Sequence, residues 1–262
     1  MPAEWRPGAV GISEGTLLSG LLLLVRMSAL VGMAGFPGFR NAPATPRILL
    51  VIGLTVAAWP ITRTPEPGTT LAALGGELLL GLMAGVVVTW LQEAFVLGFQ
   101  LIGGQAGFSY ASTIDPTSQA DSTVLPLLAQ LCAGVLLFAS GLDRELIAAI
   151  AAGPRPYALG AFTPDARHLG LIADWTAGAL VVAVRLALPV FTLLLMTDLA
   201  LALLSRLQAQ LQLLSLAFPL KILAALVLVS WLMPAMAALY GRHSVKAIDA
   251  VRQLAASPTG GR

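Results

Sequence analysis

The 262-residue sequence is poor in most of what a soluble enzyme works with. Charged residues make up 11 %, against about 25 % in ordinary soluble domains, which excludes a water-soluble globular fold. There is one cysteine and there are two histidines. Cys132 lies in an apolar run, so a disulfide framework and a cysteine-based metal site are both excluded. Nowhere do His, Cys and carboxylates gather at ligand spacing, which removes metal chemistry. No glycine-rich phosphate loop is present, so nucleotide hydrolysis has no seat. The net charge of +2 is scattered, without a basic cluster interleaved with aromatics, and a nucleic-acid partner is not expected. No charged n-region or small-residue cleavage signal precedes the first apolar run, so residues 1–14 read as mature protein.

What remains is apolar. Hydrophobic residues make up 57 % and the mean hydropathy is +0.86. Apolar segments cover about 15–35, 47–61, 69–102, 124–152, 169–206 and 219–240, followed by an amphipathic tail at 241–256. This pattern predicts an all-α fold: one polytopic membrane-complex domain of long, kinked apolar helices packed as hairpins around an irregular central loop. The 47–61 segment is short for a span, whereas 69–102 is too long for a single one. Gly141 and the Asp143/Arg144/Glu145 triplet predict a break inside 124–152. Pro189 predicts a kink in 169–206. The tail sets Val245, Ile248, Val251 and Leu254 among basic residues, as an anchor at the lipid interface would. Arg242, Lys246 and Arg252 favour a cytoplasmic C-terminus.

The few charges inside apolar runs are informative. A central Arg such as Arg26 costs about 2.5–3.5 kcal/mol on insertion scales, so it should face protein or water. Glu77, Gly81 and Gly85 stand at i, i+4 and i+8 with Ala84 beside them, a smooth face that lets another helix approach closely. Glu77 and Glu93 read more readily as helix-packing groups than as proton relays. Arg185 and Asp198 are thirteen residues apart and fall on separate helix faces, which argues against their pairing. Gln208, Gln210 and Gln212 alternate, as a polar stripe on a strand or a partner-facing segment would.

The stretch from Gly98 to Leu125 breaks the pattern of its neighbours. It holds Gly103, Gly104 and Gly107, the amides Gln100, Gln105 and Gln119, and the helix-stopping pair Asp115-Pro116. Irregular backbone at membrane depth survives only where protein buries it or where it lines a watery cavity. The stretch is therefore either an extramembrane connector or a pore-lining loop. Gly107-Phe108-Ser109-Tyr110 has the outline of an intramembrane serine-protease turn. However, His168 lies in the 153–168 loop and His243 beyond the last apolar run, so the nucleophile lacks a base. No enzyme activity is expected, and no cofactor. Physical reading alone leaves two alternatives open: a secondary transporter built on Arg26, Glu77, Glu93, Arg185 and Asp198, or a channel-like assembly subunit.

Specific motifs narrow this choice. Arg26, the Gly76-Glu77…Gly81…Gly85 segment, the Gln100–Ser109 stretch with Asp115-Pro116, and Ala187-Leu188-Pro189 occur in an order that resembles the FliR family of flagellar export-gate proteins and its virulence type III secretion relatives. Arg206…Gln210…Gln212 and Phe218-Pro219-Leu220-Lys221 resemble the same family, although Ala209 stands where it has Pro and Gln212 where it has Asn. Gly141-Leu142-Asp143-Arg144 stands where the family usually has a Gly-His pair. The D-P and F-P signatures favour the flagellar branch. The resemblance implies a bacterial inner-membrane protein at the flagellar basal body. It would assemble with FliP-like and FliQ-like subunits and an FlhB-like export protein, in contact with lipid, into a channel for unfolded export substrates. It also implies a pore plug formed by Gly103, Gly104, Gln105, Gly107, Phe108, Ser109, Tyr110, Asp115 and Pro116, and subunit contacts at Arg26, Glu77, Gly81, Gly85, Gln210, Phe218 and Pro219.

Overall fold

The computed structural model describes residues 14–34, 43–61, 73–108, 124–152, 159–207 and 213–256. They form α1 (Glu14–Met33), α2 (Ala44–Ala58) with a 3-10 turn at Trp59–Ile61, α3 (Ala73–Ala106), α4 (Val124–Ala139), α5 (Leu142–Ala152), α6 (Ala166–Leu207) and α7 (Leu213–Ala255). Helix is the expected choice for such runs, because it satisfies every backbone group within the segment and needs no water. Pro46 and Pro126 fall in the first turns of α2 and α4, where the missing N–H has no helical acceptor to lose. α1, α3, α6 and α7 are each long and apolar enough to cross a membrane.

The described residues pair as three antiparallel hairpins. In the first, Trp59 folds back over α1, its indole N–H donating to Ser19 Oγ at 3.2 Å while its ring lies against Gly20. In the second, Leu125 of α4 packs on Gly103 of α3. In the third, Lys221 of α7 meets Asp198 of α6. The leading helices α1, α3 and α6 run parallel. Gln92 of α3 donates to the Ala34 carbonyl just past α1, Trp175 of α6 donates to the Val87 carbonyl of α3 at 2.9 Å, and Gln105 reaches Asp198. The three leading helices therefore run the same way, but α1 ends beside the middle of α3, at the level of Gly85 to Gln92, whereas the α3–α4 and α6–α7 hairpins reverse beyond the C-terminal end of α3.

One core runs the length of the bundle, through Leu22, Leu30, Leu80, Val88, Phe99, Leu137 and Leu194. At its middle Phe95 of α3 and Tyr240 of α7 meet with ring centroids 5.1 Å apart, in the tilted geometry aromatic quadrupoles favour. The expected break lies between α4 and α5, which are bent by 62° around Gly141. Gly141 holds φ +69, a left-handed conformation glycine adopts without steric cost.

Three expectations need correction. First, the stretch after Gly98 does not break at once. α3 continues to Ala106, and only Gly107 turns left-handed, at φ 89. Gly103, Gly104 and Gln105 are thus helical, with Gly103 lying against Leu125 and Gln105 tied to Asp198. Second, the last apolar run and the tail are one helix, α7. The face carrying Ile248, Val251 and Leu254 is buried in the core, with α5 packed against α7, so it is not left for lipid. Arg252 adds a surface pair with Glu145 of α5 at 2.7 Å. Third, His168 lies in the first turn of α6. Asp165 Oδ1 accepts the Ala166 N–H at 2.6 Å while His168 Nδ1 accepts the Asp165 N–H at 3.0 Å, so the two side chains satisfy backbone donors at the start of the helix.

Candidate functional site

Two polar constellations interrupt the apolar interior, one toward each end of α3. The first is built on Arg26, at the middle of α1, and Glu77, near the start of α3. They are 1 % and 0 % exposed. Arg26 Nε donates to Glu77 Oε2 and Nη2 to Glu77 Oε1 at 3.0 Å, the two-point fork that suits guanidinium to carboxylate. The spare Nη1 donates to the Ile150 carbonyl of α5 at 3.1 Å. Glu77 Oε1 also accepts the Gly160 N–H, at 2.7 Å, just before α6. One buried pair therefore joins α1, α3, α5 and the approach to α6.

The glycines of the same α3 face make this approach sterically feasible. A Cβ on Gly81 would stand 2.3 Å from the Arg26 carbonyl oxygen, and one on Gly85 2.6 Å from Met33 Cβ. A Cβ on Gly76 would meet the Phe162 carbonyl oxygen at 2.3 Å. Thr89 reinforces the seam, its hydroxyl bonding to the Met33 carbonyl. The smooth face does admit another helix, but that helix is α1 of the same chain. This corrects the expectation that Arg26, Glu77, Gly81 and Gly85 face a neighbouring subunit: their own chain covers them.

The second constellation closes the other end. Lys221 Nζ lies 2.8 Å from Asp198 Oδ1 and 3.0 Å from Oδ2, and Gln105 Nε2 donates to Oδ2 at 2.8 Å. The last turn of α3 is thereby tied to both arms of the α6–α7 hairpin. The lysine side chain is 11 % exposed and the aspartate 38 %, so solvent or a partner still reaches the carboxylate. Sequence reasoning weighed Asp198 against Arg185 and missed Lys221. The available signal was register: Asp198 and Lys221 stand almost equally far from the glutamine segment, as cross-hairpin neighbours must.

Residues 17–246 match the family described as bacterial export proteins, family 1. The chain belongs to that family. It is 28 % identical over 220 residues to the flagellar biosynthetic protein FliR of Escherichia coli strain K12, covering 82 % of this chain and 84 % of that one. It is 27 % identical to the FliR of Caulobacter vibrioides, covering 80 % of this chain and 86 % of the relative. For the FliR of Bacillus subtilis strain 168 the identity is 26 %, with coverage of 79 % and 83 %. With its long apolar helices, this family member is a membrane-embedded component of flagellar protein export.

Within this export protein, the other residues marked from the sequence fall into distinct places. Gly107 and Phe108 follow α3, with the Phe108 ring packed against the core. Ser109, Tyr110, Asp115, Pro116 and Gln210 lie outside the described residues. Phe218 and Pro219 belong to α7, and Pro219 is exposed. Of the five charges weighed for a transport site, Arg26 and Glu77 pair with each other and the other three lie apart from them. Glu77 and Gln105 mark the two constellations, and about 42 Å of α3 separates them at 1.5 Å per residue. Arg185 is exposed on the outer side of α6, and Glu93 is half-buried on α3.

Proposed function

We propose that this chain is the FliR-type subunit of a flagellar export channel, assembled with FliP-like and FliQ-like subunits and contacting an FlhB-like export protein. In this reading it sits in the bacterial inner membrane at the flagellar basal body, and unfolded export substrates pass through the assembly. The segment from about residue 104 to 122 plugs the closed channel. The observation that carries the plug is the Gln105–Asp198–Lys221 triangle. It fixes the root of that segment at the end of the bundle where the α3–α4 and α6–α7 hairpins reverse, so the segment leaves from a rigid support. Within it the chain leaves the helix at Gly107, which turns left-handed, and Phe108 follows as the first of its apolar groups. Apolar constrictions are an established means of closing a channel.

The buried charges support assembly over solute transport. Arg26 and Glu77 neutralise each other without access to solvent, and Lys221 engages Asp198. The deciding experiment deletes residues 109–122 and measures small-molecule leak across membranes that hold the assembled complex. Increased leak is expected. Leak equal to that of the intact protein, in an assembled complex, refutes the plug.

A further inference from the structure

We infer that the outward face of α6 around Arg185 is the docking surface for an apolar helix of another membrane subunit, and that this helix presents a carboxylate to the Arg185 guanidinium. The inference rests on the reading of the chain as a subunit of a membrane complex, and adds where a partner binds and by what chemistry. Arg185 is exposed, and among the described residues its guanidinium has no hydrogen-bond or ion-pair partner. Around it on the same face stand Val181, Val184 and Leu188, at 48 %, 48 % and 49 % exposure. An arginine in such surroundings at the middle of a span costs about 2.5–3.5 kcal/mol against lipid.

Its own helix offers it no counter-charge. The other carboxylates of α6, Asp174 and Asp198, lie about 16 and 20 Å along the same axis, and Asp198 is already bound to Lys221. Among the described residues the chain offers this guanidinium no counter-charge, and the docked helix supplies it.

A second feature lies on the same face. Pro189 is inside α6 and has no N–H, so the Arg185 carbonyl four residues earlier loses its helical donor. Arg185 and Pro189 are both exposed. One level of α6 therefore offers a cation and a freed carbonyl acceptor side by side. A helix bearing Asp or Glu, with a Ser, Thr, Asn or Gln one turn away, answers both. Desolvated between two helices, the guanidinium–carboxylate pair sets register as well as affinity.

The test uses the full-length tagged protein, extracted from its native membranes in mild detergent. The wild type is expected to retain its small apolar subunits. Arg185→Glu, present at the same membrane level, should lose them more than tenfold, whereas Arg185→Lys should keep a substantial part. Suppressors of Arg185→Glu that restore co-purification should convert an Asp or Glu to Lys or Arg in one transmembrane helix of a subunit. A photo-crosslinker at Val184 or Leu188 should capture that same helix. Retention of the subunits by Arg185→Glu, or crosslinks only to lipid, overturns the docking surface while leaving the subunit reading intact. A wild type that brings no subunits at all overturns the subunit reading itself, and the surface with it.

Discussion

Arg26 of α1 and Glu77 of α3, fifty-one residues apart in the chain, form a two-point ion pair that their own helices seal from solvent. The pair also holds the Ile150 carbonyl and the Gly160 N–H, so four segments share one charge-neutral knot. Breaking a buried pair by removing one member leaves an uncompensated charge and costs about 3–5 kcal/mol, whereas apolar replacement of both members is often tolerated. Arg26→Leu and Glu77→Leu should each lower the thermal unfolding temperature of the detergent-purified protein. The Arg26→Leu/Glu77→Leu double variant should recover part of the loss. It will not recover all of it, because two backbone groups lose their partners at about 1–3 kcal/mol each. A double variant as unstable as the sum of the singles would show that the two residues act independently.

Gly81 and Gly104 give a matched comparison on one helix. At Gly81 a methyl group collides with the Arg26 carbonyl, whereas at Gly104 nothing lies within 4 Å of the added Cβ. Gly81→Ala should destabilise the isolated chain, and Gly81→Leu should prevent it from accumulating in the membrane. Gly104→Ala should be neutral or should stabilise α3 by about 0.5–1 kcal/mol, as an alanine inside a helix does. Thermal unfolding of the two alanine variants side by side decides the matter. Equal behaviour would contradict the close α1–α3 seam.

At the other end of α3, Asp198 is partly exposed, so its pair with Lys221 should contribute little to stability, about 0–1 kcal/mol. Its expected role is positional. Asp198→Asn and Lys221→Met should leave the unfolding temperature almost unchanged yet raise membrane leak in the assembled complex, because the root of the central segment is released. A fall in stability with no change in leak would assign the triangle to folding alone.

The sequence revealed the fold well where one helix sufficed to explain a residue. Apolar run lengths located the helices, and the Gly141 break and the hairpin pattern followed from local chemistry. It was weaker where a second element decided the outcome. Gly103 and Gly104 look like loop residues until Leu125 is seen packing on Gly103. The Glu77–Gly81–Gly85 stripe correctly announces a helix contact, but periodicity does not say whether that helix belongs to the same chain. Arg26 and Glu77 were both marked as needing partners, yet nothing in their spacing joined them. Val245, Ile248, Val251 and Leu254 form the amphipathic pattern of a lipid anchor, and the cover α5 provides over the buried part of that face comes from a hundred residues upstream.

The most direct test of the central claim is a mild-detergent pull-down of the tagged protein from native membranes, with mass spectrometry of everything recovered. A stable complex with two other small apolar subunits is the predicted result, and its sequences would identify the FliP-like and FliQ-like partners. A clean monomer or homodimer at every detergent strength would contradict the export-channel account.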